Sequence, residues 1–527
     1  MFLTLGPAMR AAERPRLVVV ISYDQLRGDM PTTFSRFISH HGFERVKREG
    51  AWFDACYYDQ AAMMTAPGHA TLLTGCYPHR TGITGNDLCD RRTKTCSQSI
   101  EDATFGTAPV LLKVPALGDI LRANSPRSKV VSMAFKDRAA VLMGGHEPTY
   151  ALWFDTDSLA FVTSSYYQRP PWLAILNAEV VARRYSGFTW QAGIADSLRP
   201  AYDDVVEEGD FSNGSRTFPH QLASVEQQEA FALDFLSSPF SVTYLFDAAV
   251  EVMRREQLGQ DTIPDILAIG VSSTDILGHQ FGPDSREVQE MYAGCDTTLG
   301  RFINVLDERV GRANYVLVIT SDHGVAPIPE LLARQAEPQG TTVDAGRLRS
   351  ADVRRTIDSA LSATYGKPAR SSWIANFIPP SLFLDSASCS ERNVSVDSVA
   401  VTAAAAMRNI HGIAYAATHA ELRRGALADT IPPSHARFIL QAFHEERSGD
   451  VVFYPREYWI FGGNVATHGT PYDYDRHVPL MLIGDGIIPG RIRDRVAPVD
   501  IAPTLAEMLG LQLEDIDGTP LSITAAP

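Results

Sequence analysis

The stretch LVVVISYD, residues 17–24, is a continuous apolar run that ends in an acidic residue. Two later stretches repeat this design: ILAIGV at residues 266–271 precedes Asp275, and YVLVIT at residues 315–320 precedes an Asp-His pair. Apolar runs without alternation are typical of parallel strands that are buried on both faces of a sheet. Ligands of open α/β sheets bind beyond the carboxyl ends of such strands. The three runs therefore predict an α/β fold whose sheet carries a functional site at one edge.

Helical patterns separate these strands, as in residues 287–310, and predict a mostly parallel sheet that is flanked by helices. Two segments break the alternation of strand and helix: residues 151–240 are rich in Tyr, Trp and Pro, and residues 328–454 contain Ala-rich stretches. We interpret both as cap insertions that cover the carboxyl edge of the sheet and shape a substrate pocket. The catalytic core is then predicted to comprise residues 14–150, 241–327 and 455–527.

The composition is that of a folded globular protein. The 527 residues are 45% hydrophobic and 21% charged, which excludes long disorder. A net charge of -15 offers no basic surface for DNA or RNA, so we expect small substrates and no nucleic-acid partner. No stretch reaches the roughly 20 apolar residues that a membrane span needs, so none is predicted.

The N-terminal residues 1–9 are mildly apolar and are followed by Arg10. This run is too short for the apolar core of a signal peptide, and no basic residues precede it. Two interpretations are open. Either a longer leader is missing from this sequence, and the protein is periplasmic or secreted, or the protein is cytoplasmic.

Six cysteines are present, and none forms the CxxC pair of a thiolate zinc site. Cys89 and Cys96 flank a short polar turn, so a disulfide between them is one interpretation. The other is a set of six reduced and mostly buried thiols, as in a cytosolic protein.

Candidate metal ligands occur at four separate places in the chain, and all are acidic or imidazole side chains: Asp24, Asp275, His279, Asp322, His323 and His468. A single Asp after a strand is commonly a turn former or a helix cap. The combination indicates more, because Asp275 and His279 share one helical turn. Oxygen and nitrogen ligands without cysteine match a solvent-open catalytic zinc site, and this set suits two zinc ions.

Thr65 is a candidate nucleophile. It lies where the chain enters a predicted helix, so one interpretation makes it the helix N-cap. A threonine hydroxyl alone is a poor nucleophile, but a bound zinc ion stabilises the alkoxide and a helix N-terminus favours an anion. The two roles are compatible, and they suggest phosphoryl transfer through a covalent phosphothreonine.

Lys136 and Arg138 are candidate anion-binding residues. Along an extended segment, residues two apart point to the same side, where both cations can hold the oxygens of a phosphoryl group. The competing interpretation is a solvated basic patch, because Lys and Arg are mostly exposed in folded proteins.

The motifs together resemble the alkaline phosphatase superfamily, which includes nucleotide pyrophosphatase/phosphodiesterases, sulfatases and phosphoglycerate mutases. The nearer likeness is to bacterial zinc alkaline phosphatases with a threonine nucleophile. The matching segments follow the family's order along most of the chain: Ser22-Tyr23-Asp24-Gln25, Thr65-Ala66-Pro67-Gly68-His69, Gly82-Ile83-Thr84-Gly85-Asn86, Lys136-Asp137-Arg138, Asp275-Ile276-Leu277-Gly278-His279, Ser321-Asp322-His323-Gly324 and His468-Gly469-Thr470.

This resemblance implies a role for each matching residue. The first zinc ion would have three ligands: Asp275, His279 and His468. The second would lie beside Thr65, activate its hydroxyl and have three further ligands: Asp24, Asp322 and His323. Asn86, Lys136 and Arg138 would hold the phosphoryl oxygens and favour a dianionic monoester.

The function that follows is metal-dependent hydrolysis of small phosphate monoesters, that is, alkaline phosphatase activity with two zinc ions per chain. The main alternative is a phosphodiesterase or nucleotide pyrophosphatase of the same superfamily, which would use the same metals and threonine but not Lys136 and Arg138. A sulfatase is less compatible, because Thr65 stands where that family has Cys or Ser. A non-catalytic binding protein would have lost a ligand or the nucleophile, and this chain retains all of them.

Overall fold

The structure is a computed structural model that describes residues 14–179, 182–198, 205–368 and 370–523. Its central feature is a large β-sheet. Within these ranges the sheet has nine strands. In chain order they are β1 (Leu17–Tyr23), β2 (Ala51–Cys56), β3 (Val130–Ala134), β4 (Tyr150–Asp155), β5 (Ala160–Val162), β6 (Asp265–Val271), β7 (Tyr315–Thr320), β8 (Leu480–Gly484) and β9 (Gly490–Val496).

The strands lie in the order β9-β2-β8-β7-β1-β6-β3-β4-β5. From β7 to β4 the neighbours are parallel, with β1 between β7 and β6. β8 is antiparallel to both β7 and β2, β5 is antiparallel to β4, and β9 is parallel to β2. The predicted α/β fold with a mostly parallel sheet is therefore confirmed.

Burial on both faces explains the continuous apolar runs. All seven residues of β1 are buried. Leu17, Val19 and Ile21 pack into the core on one face, and Val18 and Val20 pack into the core on the other face. Each fully buried aliphatic side chain of this kind stabilises the fold by about 1.5–3 kcal/mol relative to its exposed state.

Helices supply the other half of each core. Those closest to the site are α1 (Thr65–Thr74), α2 (Asp137–Gly144), α3 (Ser273–Phe281) and α4 (Arg286–Arg309). The last lies within one residue of the helix predicted over 287–310. The remaining α-helices are Met30–Thr33, Phe43–Glu49, Pro78–Thr81, Leu117–Asn124, Leu173–Glu179, Gln228–Leu236, Pro239–Glu256, Pro329–Ala336, Ser350–Tyr365, Ser386–Glu391, Val396–Arg408, His419–Arg424, Pro433–Ala442, Asp473–Arg476 and Ile501–Leu509.

A second sheet forms within the segment predicted as the second insertion. Its antiparallel strands are Ile374–Ile378, Ser381–Leu384, Val451–Pro455 and Ile413–Thr418, in that spatial order. The helices Ser350–Tyr365 and Val396–Arg408 share a separate apolar core with it. In the segment predicted as the first insertion, β4 and β5 continue the main sheet as far as Val162. The bounds of both insertions stay a prediction.

A disulfide-closed hairpin joins the core to the second sheet. Cys89 is bonded to Cys96, so the structure has the disulfide rather than the reduced pair. Lys94 in the turn donates to Asp450 at 2.8 Å, and its carbonyl oxygen accepts a hydrogen bond from Asn376 at 2.7 Å. Both partners belong to the second insertion, so the hairpin anchors that insertion beside the main sheet.

None of the helices in the part of the chain that the structure describes combines the length and apolar character that crossing a membrane requires.

Removal of the disulfide is expected to destabilise the protein measurably. Cys89→Ala with Cys96→Ala opens a short loop in the unfolded chain, which lowers the free energy of unfolding by about 2 kcal/mol. Urea denaturation of the variant and of the wild type, each with and without dithiothreitol, measures this change. The reductant should lower the wild-type midpoint and leave the variant unaffected. Identical midpoints for the oxidised wild type and the variant would contradict the prediction.

Candidate active site

Four neighbouring strands deliver charged side chains to one crevice. β7, β1, β6 and β3 are adjacent and parallel, so their carboxyl ends meet at one edge of the sheet. Asp24 follows β1, Lys136 follows β3, Asp275 lies in α3 after β6, and Asp322 follows β7. The Thr274 hydroxyl, in the first turn of α3, donates to the backbone oxygen of Asp24 at 2.6 Å. The strand order therefore gathers residues that are up to 298 positions apart in the chain.

Thr65 is the first residue of α1, a helix in which every residue is buried. The N-cap position belongs to Met64, whose backbone is extended, so the alternative role of Thr65 as the N-cap is wrong. The Thr65 hydroxyl oxygen lies 3.3 Å from the Lys136 ammonium nitrogen. Its hydroxyl group is therefore available to the crevice instead of being used to cap the helix.

Helix α1 packs tightly against the end of β7. A Cβ atom on Gly68 would overlap the backbone oxygen of Asp322, so only glycine permits this approach. The Nδ1 atom of the next residue, His69, lies 2.9 Å from the carbonyl oxygen of Thr65, one turn earlier, and 3.2 Å from a carboxylate oxygen of Asp322. Thr65 and Asp322 thus share a rigid connection, and His69 has a structural position.

Asp275, His279 and His468 form one candidate ligand group. The Asp275 Oδ1 atom lies 3.2 Å from the Nε2 atom of His279 and 3.4 Å from that of His468. The three residues offer ligand atoms that all lie within 4.8 Å of one another, which is compatible with binding a single ion.

Asp24, Asp322 and His323 form a second candidate ligand group, whose His323 ring stacks on that of His468 with the ring centroids 3.6 Å apart. The His323 Nε2 atom lies 3.4 Å from Asp24 and 3.3 Å from Asp322. Asp275 also approaches this group, because Asp24, Asp275 and His323 offer ligand atoms within 4.8 Å of one another. Asp275 therefore stands between the two groups.

Each candidate histidine presents the same ring nitrogen to the crevice. Their Nδ1 atoms donate to backbone carbonyl oxygens: His279 to Ala466 at 2.7 Å, His323 to Gly324 at 2.9 Å and His468 to Met63 at 2.7 Å. A carbonyl only accepts, so the Nδ1 atom carries the proton and the Nε2 lone pair is available as a ligand. This arrangement is typical of histidines that bind metals.

Burial keeps two of these imidazoles neutral. It lowers the pKa of His323 to about 3, and it also lowers the pKa of His468. Burial would lower the pKa of His279 as well, but the adjacent Asp275 outweighs this effect and raises it. A neutral imidazole is the form that binds a metal, so His323 and His468 can bind a metal at neutral pH without losing a proton.

The second group fits a cation on a further observation. Among the residues that the structure describes, Asp24 Oδ1, Asp322 Oδ2 and His323 Nε2 are buried without a hydrogen-bond partner. Burial and the charge of Asp322 also raise the pKa of Asp24 well above its ordinary value. A buried carboxylate oxygen that accepts no hydrogen bond is costly, and a divalent cation beside it removes that cost. The donor set therefore fits a metal ion with oxygen and nitrogen ligands.

Lys136 links the two groups. Its ammonium nitrogen lies 2.6 Å from Asp24 and 2.5 Å from Asp275. Burial would lower the pKa of Lys136, but these two carboxylates raise it, so the side chain is charged. Arg138 follows in the first turn of α2, so the extended segment ends at Lys136 and the prediction of one extended run through Arg138 is wrong. The charge of Arg138 nevertheless acts on Lys136 and opposes the rise in its pKa.

Asn86 approaches the nucleophile from the disulfide hairpin. Its side-chain oxygen accepts a hydrogen bond from the backbone nitrogen of Ala66 at 2.9 Å. The amide is therefore held beside the start of α1, with Thr65 as the preceding residue.

Two positioning residues were not predicted from the sequence. Gln25 donates from its side chain to Asp275 at 2.7 Å and from its backbone to Asp322 at 3.1 Å. Its backbone is left-handed, with a φ of 68°, which the sequence gives no signal for. Asp475 accepts hydrogen bonds from Gly469 at 2.9 Å and from the Thr470 backbone at 2.8 Å, and so fixes the turn after His468.

Comparison with known proteins connects this arrangement to a family. Residues 18–477 match the family described as type I phosphodiesterase/nucleotide pyrophosphatase. A protein named calcium-transporting ATPase from Myroides odoratus is 29% identical over 98% of this chain and 95% of its own length. Alkaline phosphatase PafA from Elizabethkingia meningoseptica is 28% identical, with 95% and 93% covered. Alkaline phosphatase PhoK from a Sphingomonas species is 31% identical, with 98% and 92% covered.

The fold agrees with this relationship. The crystal structure of wild-type alkaline phosphatase PafA matches this structure with a TM-score of 0.90 and 27% sequence identity, and the match covers 98% of this chain and 100% of that one. Family match, relatives and fold lead to the same conclusion: this chain belongs to the type I phosphodiesterase/nucleotide pyrophosphatase family, within the alkaline phosphatase superfamily.

Proposed function

We propose that this protein is an alkaline phosphatase, which hydrolyses phosphate monoesters through a phosphothreonine at Thr65 and binds two zinc ions. The observation that carries the proposal is the position of Thr65. Its hydroxyl lies 3.3 Å from the charged Lys136, and Lys136 contacts a carboxylate of each candidate ligand group. A hydroxyl, a cation and two sets of metal ligands in one crevice are the components of metal-assisted phosphoryl transfer.

The relatives support the monoester reaction. Several are named alkaline phosphatases and match nearly the whole chain. A second solved structure is of a PafA mutant in which a Thr, an Asn, a Lys and an Arg are changed together. This chain has the same four residue types at Thr65, Asn86, Lys136 and Arg138.

The chain's own residues position and transfer the phosphoryl group. In the first step the Thr65 hydroxyl gives up its proton as its oxygen forms a bond to phosphorus. The bond from phosphorus to the alcohol oxygen breaks, and that oxygen takes up a proton so that the free alcohol leaves. In the second step water attacks phosphorus and Thr65 leaves as the free hydroxyl. Asn86, Lys136 and Arg138 hold the non-bridging oxygens through both in-line displacements. When bound, the metal ions supply Lewis acidity, which lowers the pKa of the hydroxyl groups at the site.

Charge favours a monoester over a diester. A monoester phosphoryl group carries one more negative charge than a diester, and two cationic side chains attract that additional charge. Lys136 is charged and lies beside the nucleophile. Arg138 lies close enough to Lys136 for its charge to affect the pKa of Lys136. A phosphodiesterase with the same metals and threonine would gain little from this pair.

Zinc is the metal that we propose for both groups, because carboxylate oxygen and imidazole nitrogen without thiolate form its open catalytic sites. Each group offers carboxylate and imidazole ligands, with a position for substrate or water remaining.

Replacement of the nucleophile should abolish turnover. Thr65→Ala is expected to lower kcat for p-nitrophenyl phosphate by at least about 1,000-fold, because no covalent intermediate can form. Thr65→Ser is the matched control and retains measurable turnover. Mass spectrometry after acid quenching should detect a phosphoryl adduct on Thr65 of the wild type. Unchanged activity of Thr65→Ala with normal metal content would overturn the covalent mechanism.

Loss of the cationic pair should distinguish the two ester classes. Lys136→Ala and Arg138→Ala are each expected to lower kcat/KM for p-nitrophenyl phosphate by about 100-fold, since each removes a donor to the transferred group. For bis-p-nitrophenyl phosphate the expected loss is less than about tenfold, because the diester has less charge for the cations to bind. Equal losses on both esters would show that the pair does not select for monoesters.

Metal content tests the ligand assignment independently of activity. Purified wild-type protein should contain about two zinc ions per chain by elemental analysis, and Asp275→Ala should contain fewer, because Asp275 approaches both groups. Asp397→Ala, which removes an exposed carboxylate from a distant helix, is the matched control. A fully loaded Asp275→Ala variant would remove Asp275 from the ligand set.

A further inference from the structure

A narrow apolar cavity lies beside the nucleophile and one ligand group. Met64, the residue before Thr65, and His468 line it on the core side. Another part of its wall comes from Phe453 of the second insertion and from Ile460 and Phe461 of the strand that follows, Trp459–Phe461. Phe453 and Ile460 are fixed in the interior, whereas Phe461 is half-buried. The cavity is thus a built feature of the fold and not a gap between mobile loops.

The cavity borders the reacting atoms through two residues of its wall. Met64 is the residue before Thr65, and His468 belongs to a candidate ligand group. The Nδ1 atom of His468 donates to the backbone oxygen of Met63 at 2.7 Å, so these two parts of the wall are held together. The alcohol part of an ester whose phosphoryl group lies beside Thr65 can therefore extend into this cavity.

The lining determines which alcohol fits. Among the described residues that form the cavity wall, none is Asp, Glu, Lys or Arg. Aromatic, proline and aliphatic side chains dominate, including Pro379 and Pro380 from the loop of the second sheet. Removal of such a surface from water by an apolar group is favourable in free energy. A charged group finds no favourable polar contact there.

We propose that this cavity is a subsite for the apolar, uncharged alcohol portion of the phosphate monoester. This inference rests on the proposed function and narrows it to esters of short alkyl alcohols or of small rings. Pro379, Pro380 and Phe453 from the second insertion, together with Phe461 just beyond it, select the substrate.

A neighbouring cavity offers a contrasting chemistry. It shares Met64 and the two prolines but extends toward Asn86 and contains Arg447. The guanidinium of Arg447 donates to the carbonyl oxygens of Gly82 and Leu111. Binding of an alcohol in this cavity would be favoured by a negative charge on the alcohol's chain. The two cavities therefore predict opposite effects of a carboxylate on substrate binding: it weakens binding in the apolar cavity and strengthens binding in the cavity that contains Arg447.

The test compares three alkyl monoesters with the metal-loaded wild-type enzyme: ethyl phosphate, n-butyl phosphate and the butyl ester with a terminal carboxylate. Ethanol and n-butanol are leaving groups of nearly equal acidity, so a difference between their esters reports contact with the protein. We expect kcat/KM for n-butyl phosphate to exceed that for ethyl phosphate by at least about fivefold, since two more methylene groups are buried. The gain should appear mainly in KM, and the carboxylate should remove it.

Variants locate the effect in the cavity. Phe461→Ala should reduce the ratio of the n-butyl to the ethyl value by at least about threefold, because it removes part of the apolar wall. Phe461→Leu should retain most of the ratio. Val401→Ala, at an exposed apolar position on a helix of the second insertion, is the matched control and should leave the ratio unchanged.

The outcomes separate the subsite from the function itself. Equal kcat/KM for the ethyl and n-butyl esters, with both hydrolysed, would overturn the subsite and leave the phosphatase proposal intact. Preference for the carboxylate-bearing ester would also overturn it, in favour of the cavity with Arg447. No turnover of any monoester, p-nitrophenyl phosphate included, would overturn both proposals.

Discussion

Three buried carboxylates that share one crevice are the constraint on which this structure depends. Asp24, Asp275 and Asp322 are almost fully removed from water, yet they lie close enough for each to influence the ionisation of another. Like charges at such distances oppose one another unless cations stand between them. Lys136 provides one positive charge from the protein. The negative charge that Lys136 does not balance requires further cations. This requirement explains why backbone hydrogen bonds orient the imidazoles toward the same space, where they can bind a metal.

The sheet meets this constraint because its central strands are parallel and rigid. Their carboxyl ends bring the acidic residues side by side, and cores on both faces hold the strands in place. Helix α1 adds the nucleophile, and Gly68 lets it approach Asp322 without a steric overlap. The second insertion contributes no candidate ligand. It contributes part of the cavity wall, and so adds apolar surface beside the residues proposed to act on phosphorus.

Much of the fold was predictable, because continuous apolar runs of this length are typical of strands buried on both faces, and the acidic residues follow them directly. The acidic ligand candidates were predictable for the same reason, and the structure gathers them in one crevice. Asn86 was reached only through resemblance, since an amide after a Gly-rich turn has no distinctive pattern. Gln25 was missed because its role requires a left-handed backbone, and Asp475 because its partners lie in a turn whose geometry arises from tertiary packing. The sequence suggests an extended segment at Arg138 because the helix start at Asp137 has no strong capping signal.

The order of strands in the sheet also governs how the chain assembles. β2 is formed by residues 51–56, but its neighbours in the sheet are β8 and β9, near the C-terminus. During synthesis, β2 therefore remains without its strand partners until most of the chain has emerged, while β1 also waits for β6 and β7. Pairings between such distant segments form slowly and leave apolar edges exposed in the meantime. The topology that brings the catalytic groups together thus makes the nascent chain dependent on protection from aggregation until its last strands are in place.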